Sequence, residues 1–303
     1  MTNPPRRMLL CRPRGGLADM LSQIERCCRY AERTNRIVIV DAKFGAESYG
    51  DEFDRYFLSR QTRLILGARD LHPVFDRAST FPAYLQGRVS SYDSHFDDAK
   101  KAYVERETRQ PITFDFAQNY PHDLLVHQQH RRLPFAVSVF MRLRLQPQLT
   151  KELLSRLRKI GGPYLGVHIR HTDYQSDYHP LIGQIAETDG AKVFLATDNQ
   201  RVLDEFRTAL PSKQIFSFAE GLSVDGKPIH LRSPANGNVF RRNCDAILDL
   251  LLLALSVRVV SADITNNPYG NKKSGFTVLA IELANQKRYL SELLGDAVKI
   301  GLD

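Results

Sequence analysis

A chain of 303 residues, 43% hydrophobic and 25% charged, has the balance of a globular protein and the length for two domains with separate cores. That balance excludes long disorder, and the lack of any run of about 18 apolar residues excludes an apolar helix spanning a bilayer. The 42 Lys and Arg residues exceed the 34 Asp and Glu, and the resulting charge of +8 favours acidic partners: nucleotide phosphates, anionic head groups or nucleic acid.

The first residues, Met1 to Arg7, are polar and basic, and the apolar run Met8 to Cys11 stops at Arg12, so no secretory core is expected and the chain reads as cytoplasmic. Met8 to Cys11 reads as a short strand, and Arg12-Pro13-Arg14-Gly15-Gly16 as the loop after it. Met20, Leu21, Ile24, Cys27, Cys28 and Ala31 then recur at helical spacing, with Asp19 as the expected cap, before the strand Arg36 to Asp41. A strand, a helix and a strand in so short a span make a βαβ unit and require a parallel sheet. Cys11, Cys27, Cys28 and Cys244 show no metal-ligand spacing, and Cys27 and Cys28 fall on the apolar helix face as small hydrophobes.

From about residue 44 to 130, turn residues and aromatics alternate without a sustained period, and only short elements are expected. Beyond, Thr150 is the expected cap of a helix bearing Leu153, Leu154, Leu157 and Ile160, stopped by Gly161-Gly162. Strands are expected at Tyr164 to Ile169, Lys192 to Thr197, Gln214 to Phe218 and Val257 to Val260. Helices are expected over Val202 to Leu210, Asn243 to Ser256 and Ser274 to Asn285. This alternation predicts a doubly wound sheet with its ligand beyond the strand C-termini. The boundary between the two α/β halves is expected near 145 to 150, giving domains 1–147 and 148–303.

Five features carry candidate chemistry. Gly15 and Gly16, between a strand and a helix, let backbone approach a ligand, and the helix start favours an anion or a sugar hydroxyl; a tight structural turn reads equally well. Their spacing fits neither the dinucleotide fingerprint nor a P-loop. The strand ending in Gly166-Val167-His168-Ile169-Arg170-His171-Thr172-Asp173 places His168 and Arg170 on one face, because side chains alternate. An arginine there can grip two phosphate oxygens and stabilise a departing diphosphate, or it can simply pair with Asp173; His168 can instead be a hydrogen-bonded core histidine. Asp198 closes the next strand, where a carboxylate serves as a ligand contact or as a helix cap. Asp249, in an apolar run, needs a partner: a guanine base, with two adjacent N–H donors, or a solvated position one turn from Asp245. Ser274 and Gly275 open the last helix, suited to phosphate or to capping alone.

Taken in order, these segments resemble the fucosyltransferase superfamily of GT-B type, which includes nodulation and core α1,6-fucosyltransferases and protein O-fucosyltransferases. The resemblance rests on Gly15-Gly16-Leu17-Ala18-Asp19, Tyr30 to Thr34 and Arg36 to Asp41 at the start. It continues through Gly166 to Asp173, with Arg170-His171 as in the nodulation subgroup, then Val193 to Asp198, Ala246 to Leu253 and Ser274 to Ala280. These matches cover roughly half of the chain and leave the middle of its first half unmatched.

The resemblance implies two Rossmann-like domains facing each other across a cleft and an inverting transfer without a divalent metal. The implied donor is GDP-fucose and the acceptor a glycan or glycolipid hydroxyl. It places Arg170 on the donor β-phosphate with His168 and His171 beside it, Asp249 on guanine, and Ser274 on phosphate. The family's acidic residue after the first motif falls on Asp173 or Asp177, because the segment here is shorter. Alternatives are a same-build enzyme using a hexosyl or galactofuranosyl donor for surface polysaccharide, or a non-catalytic nucleotide- or glycan-binding protein. No cofactor, metal ligand set or nucleic-acid motif is expected, while the basic charge leaves peripheral contact with the inner face of an anionic membrane as a further expectation.

Overall fold

The computed structural model describes residues 7–45, 49–130, 134–220, 222–224, 238–266, 270 and 272–295. The chain divides into two compact units, Met1–Gln146 and Pro147–Asp303.

The first unit begins with strand β1 (Met8–Cys11) and helix α1 (Leu17–Thr34). It continues with β2 (Ile37–Val40), β3 (Leu64–Ile65), β4 (Thr80–Phe81) and β5 (Leu124–His127). The five strands form one sheet in the order β3-β2-β1-β5-β4, every pair parallel. β1 lies at its centre, which is why Leu9, Leu10 and Cys11 are fully buried. Helix α1 starts at Gly16, whose backbone is extended and which supplies no side-chain cap; Asp19, the expected cap, sits inside the first turn. Gly15 adopts a positive φ of 87°, so the tight turn into α1 suits a residue without a side chain. Two short antiparallel pairs, Phe57–Ser59 with Leu143–Leu145 and Ser94–Asp97 with Ala102–Glu105, fill the stretch without sequence periodicity.

The second unit starts with α2 (Pro147–Ile160), β6 (Leu165–Ile169) and β7 (Ser176–Asp177). Next come α3 (His179–Ala186), β8 (Lys192–Thr197), α4 (Gln200–Ala209) and β9 (Gln214–Phe216). The unit closes with α5 (Val239–Ala254), β10 (Arg258–Ser261), β11 (Asp263–Ile264), α6 (Gly275–Asn285) and α7 (Lys287–Leu294). Proline at the head of α2 starts that helix, so Thr150 lies within it rather than capping it.

Its main sheet is parallel throughout in the order β9-β8-β6-β10. The chain leaves β6 toward β8 and β9 on one side and returns to β10 on the other. The strand order therefore reverses at β6, and the crevice beyond the C-terminal ends of β6 and β10 is the switch point where such sheets bind ligands. Alternation along β6 divides its side chains between two layers. Val167 and Ile169 join the core formed with Leu181, Ile185, Val202, Leu203 and Phe206 of α3 and α4. Gly166 faces the other way, onto Leu253 of α5 and Ser256 just beyond it, where a β-carbon would find only 2.5 Å to the Ser256 Oγ. His168 shares that side.

No helix among the described residues is long and apolar enough to cross a membrane, and the four cysteines are buried and unpaired.

Candidate functional site

Arg170 follows the last residue of β6 and stands at the switch point. Its Nε donates to Asp173 Oδ1 at 2.9 Å and its Nη2 to Asp173 Oδ2 at 2.7 Å, and its guanidinium lies 5.0 Å from the Tyr174 ring centre. Burial opposes its charge, but hydrogen bonds to Asp173, then the charges of Asp173 and Asp198, lift its pKa above the ordinary arginine value. The ion pair that the sequence left as the alternative reading is therefore present. It occupies two of the five guanidinium donors, and the two side chains keep 27% and 29% of their surface exposed, so the free edge of the fork can still meet a ligand.

The loop after Arg170 is held by the end of the neighbouring strand. Asp198 accepts from the His171 backbone N–H at 2.8 Å and from Thr172 Oγ1 at 2.6 Å. Asn199 donates through Nδ2 to the His171 carbonyl at 2.7 Å, while its Oδ1 accepts from Arg201 N and caps α4. Asp198 thus does not cap the helix: Asn199 does, leaving the carboxylate to brace the loop. Ser176 Oγ donates to the Arg170 carbonyl, and Ser176 N donates to His171 Nδ1 at 3.2 Å. Accepting at Nδ1, neutral His171 carries its proton on Nε2.

His168, one alternation before Arg170, shares a 2.7 Å hydrogen bond between Nδ1 and Thr277 Oγ1 and packs on the Phe276 ring at 5.0 Å. Burial, then the charge of Arg170, pushes its pKa down to about 3, so the imidazole is neutral near pH 7. Ser274 is the N-cap of α6: its Oγ accepts from Thr277 N at 3.1 Å and lies 3.1 Å from Thr277 Oγ1. Gly275, the first residue of α6, follows it directly. Thr277 therefore ties Ser274 to His168. Thr277 was not among the expected site residues, although its Ser-x-x-Thr spacing from Ser274 at a helix start is the signal for it.

Asp249 lies on α5 and is 6% exposed. Its charged partner is Arg156 of α2, whose Nη1 stands 3.4 Å from Asp249 Oδ1. The short bonds of Arg156 go elsewhere, from Nη2 to Asp245 at 2.5 Å and Glu152 at 2.8 Å. Asp249 is therefore not the solvated helix position entertained from sequence. Burial first, with Asp245 adding to it and Arg156 opposing, raises its pKa to about 7. Its second oxygen has no protein donor among the described residues.

Asp177 sits in β7, paired with Asp263 of β11, and its side chain is exposed with no hydrogen-bond partner among the described residues. The two carboxylates competing for the family's acidic position thus differ: Asp173 is engaged with Arg170 and Asp177 is open. Gly15 and Gly16 belong to the first unit, at the head of α1. No group of three or more His, Cys, Asp or Glu among the described residues is placed to hold a metal ion.

No family model matches the sequence. Among curated proteins, the α-(1,6)-fucosyltransferase of Drosophila melanogaster is 28% identical over 144 residues, which is 41% of this chain and 22% of that protein. The chain thus matches about a fifth of that relative's length. Among solved structures, the fucosyltransferase NodZ from Bradyrhizobium is similar over 91% of this chain and 92% of its own, with a TM-score of 0.61 and 19% identity. NodZ has also been solved after soaking with GDP-fucose. POFUT1 in complex with GDP is similar over 94% of this chain and 96% of its own, with a TM-score of 0.58 and 14% identity. The fold is that of the GT-B-type fucosyltransferases. Within that fucosyltransferase fold, the switch point of the second unit gathers Arg170, His168, Asp198 and the head of α6 at the ends of adjacent parallel strands.

Proposed function

We propose that this chain is an inverting, metal-independent glycosyltransferase that moves L-fucose from GDP-fucose to a hydroxyl of a glycan acceptor. The observation that carries the proposal is Arg170, held by Asp173 and a braced loop at the crevice where the strand order reverses. In the proposed step the acceptor oxygen attacks the anomeric carbon, the bond from that carbon to the β-phosphate oxygen breaks, and GDP departs. The negative charge growing on the diphosphate is met by the free edge of the Arg170 fork and by the N-terminal end of α6 at Ser274 and Gly275. A fixed guanidinium supplies the countercharge that a divalent metal supplies elsewhere. Neutral His168 packs beside it without adding charge. Asp177, the open carboxylate, receives the acceptor proton, whereas Asp173 keeps Arg170 in register.

Asp249 supports guanine as the base. A buried carboxylate with an unmatched oxygen is satisfied by two adjacent N–H donors, and guanine presents them while adenine and uracil do not. The GDP-fucose soaked into NodZ, a protein of the same fold, supports the same donor.

One observation favours a second reading. The Arg170–Asp173 pair is bidentate, as a purely structural ion pair would be, which suits a protein that binds nucleotide or glycan without transferring sugar. Incubation with GDP-fucose and a panel of oligosaccharides, read by mass spectrometry, separates the two. A product heavier by one fucosyl residue, with release of GDP, is expected; binding of GDP-fucose with neither transfer nor hydrolysis across the panel would overturn the enzyme reading.

A further inference from the structure

Asp249 is the group through which base identity would be read, and what sets its charge is a side chain no sequence motif includes. Arg156 comes from α2, 93 positions earlier in the chain, and lies 4% exposed among three carboxylates. Its Nη2 bonds Asp245 at 2.5 Å and Glu152 at 2.8 Å, while its Nη1 reaches Asp249 only at 3.4 Å; the Phe218 ring lies 5.4 Å from its guanidinium carbon. Arg241 adds a second cation, bonded to Glu152 at 2.9 Å and Asp245 at 3.0 Å. Asp245 Oδ2 accepts from Glu220 N. The two arginines are thus drawn chiefly to Asp245 and Glu152, and Asp249 receives what is left of the positive charge.

We propose that Arg156 is a positioning residue for guanine-nucleotide selectivity: shared between Asp245 and Asp249, it keeps the buried Asp249 carboxylate ionised and aimed, and so able to accept two N–H bonds from a purine.

The proposal rests on the reading of Asp249 as the guanine contact. An ionised carboxylate accepts at both oxygens, whereas a protonated one has turned one oxygen into a donor and mismatches the guanine edge. Removing an isolated countercharge from a buried acid favours its neutral form. The charged groups bearing on Asp249 are Arg156 from α2 and Asp245 and Arg241 from its own helix. Of the other elements packed on α5, β8 and β10 each carry one cation at their first residue, Lys192 and Arg258, and neither is among the groups that shift Asp249. On β6 the titratable group on that side is His168, held neutral; Tyr164 donates to the Leu252 carbonyl; α6 carries one charged residue, Glu282. The carboxyl titrates around 7, so modest changes in its surroundings move it across neutrality.

The test measures affinity for GDP and for ADP by calorimetry between pH 5.5 and 8.5 and follows their ratio, which cancels titration of the phosphates. In the wild-type protein the preference for GDP should fade as pH drops through about 7. Arg156→Gln should move that midpoint up by about one pH unit and lower the GDP-to-ADP ratio at pH 7 by about five- to tenfold. Arg156→Lys, which keeps the charge, should recover most of it. Asp245→Asn removes a like charge and leaves Arg156 to Asp249, so its midpoint should move down; this variant carries the test if Arg156→Gln does not fold. Midpoints unchanged in both Asp245→Asn and Arg156→Gln, or in Asp245→Asn where Arg156→Gln does not fold, would overturn the role of Arg156. Asp249→Asn separates that failure from failure of the base assignment: loss of the preference at every pH upholds Asp249 as the contact, and a preference retained in it would overturn both.

Discussion

His168 on β6 and Thr277 on α6 meet through a 2.7 Å hydrogen bond, joining the first strand of the second unit's sheet to its penultimate helix. Because Thr277 Oγ1 also lies 3.1 Å from the N-capping oxygen of Ser274, the bond fixes where α6 begins relative to Arg170. Thr277→Val keeps the shape and removes the hydroxyl, leaving His168 Nδ1 without its partner. A loss of about 1–2 kcal/mol in urea unfolding is expected, together with weaker GDP binding. Unchanged stability and affinity would show that the bond does not position the helix head.

His127 offers a pH test in the first unit. It is fully buried between Thr113 Oγ1 and Gln23 Oε1, each 2.8 Å away, and burial, then the Arg26 charge, pushes its pKa down to about 3. The folded state therefore resists a proton that the unfolded chain accepts at a pKa of about 6.5. The sign follows: the contribution is intact above pH 6.5 and is lost as pH falls toward the folded value. Between about pH 6 and 4 this one site should remove up to about 1.4 kcal/mol of stability per pH unit. Unfolding free energies measured across that range should show a shallower slope in His127→Asn than in the wild type. Equal slopes would mean that His127 titrates normally.

The second unit was largely legible because the strands of its main sheet are three to six residues of mostly apolar sequence, Leu165–Ile169 and Lys192–Thr197 above all, and its helices bear regular apolar faces. The strand-end position of Arg170 followed from where the apolar run stops, and alternation set Gly166 on the side opposite Val167 and Ile169. The first unit's middle was not legible: β3 and β4 are two residues each, too short to show a period, and their place in the sheet is set by pairing with distant strands. At the site, single-residue roles slipped where neighbours compete. Asn199 took the cap expected of Asp198 because the carboxylate was more useful to the unpaired N–H of His171. The partner of Asp249 was invisible because the two helices that bring it to Arg156 are separated in sequence by three of the four strands of the main sheet.

Gly166 is required by packing rather than by its backbone. A β-carbon there would lie 2.5 Å from Ser256 Oγ and 2.9 Å from Ser256 Cβ, well inside van der Waals contact. Gly166→Ala should lower stability by about 1–3 kcal/mol, as overpacking does. Adding Ser256→Gly should recover most of that loss, since it deletes both offending atoms. A thermal-denaturation cycle of the two single variants and the double variant measures the coupling; strictly additive effects would show that the clash is relieved elsewhere.

Metal independence is a separate expectation of the proposed reaction, in which Arg170 supplies the leaving-group countercharge. Fucosyl transfer should proceed at the same rate in EDTA as in buffer containing manganese. Activity lost on chelation and restored by manganese would assign that countercharge to an ion instead.

The strongest demand falls on Arg170 itself. If its fork stabilises charge that appears only as GDP departs, Arg170→Ala should cut kcat by about 10²–10³, the usual loss of one preorganised donor in a transition state. Its melting temperature should change little, because the pair it loses is partly exposed and such pairs contribute about 1 kcal/mol or less. Arg170→Lys keeps a cation but cannot offer two parallel donors, so it should fall between alanine and wild type. Asp173→Asn is the informative contrast: it leaves the guanidinium in place and only loosens its alignment, so its loss should be far smaller than that of Arg170→Ala. Steady-state transfer assays on the three variants decide the matter. Turnover of Arg170→Ala within tenfold of wild type, or Asp173→Asn as damaged as Arg170→Ala, would mean that the carboxylate rather than the guanidinium does the chemistry at the end of β6.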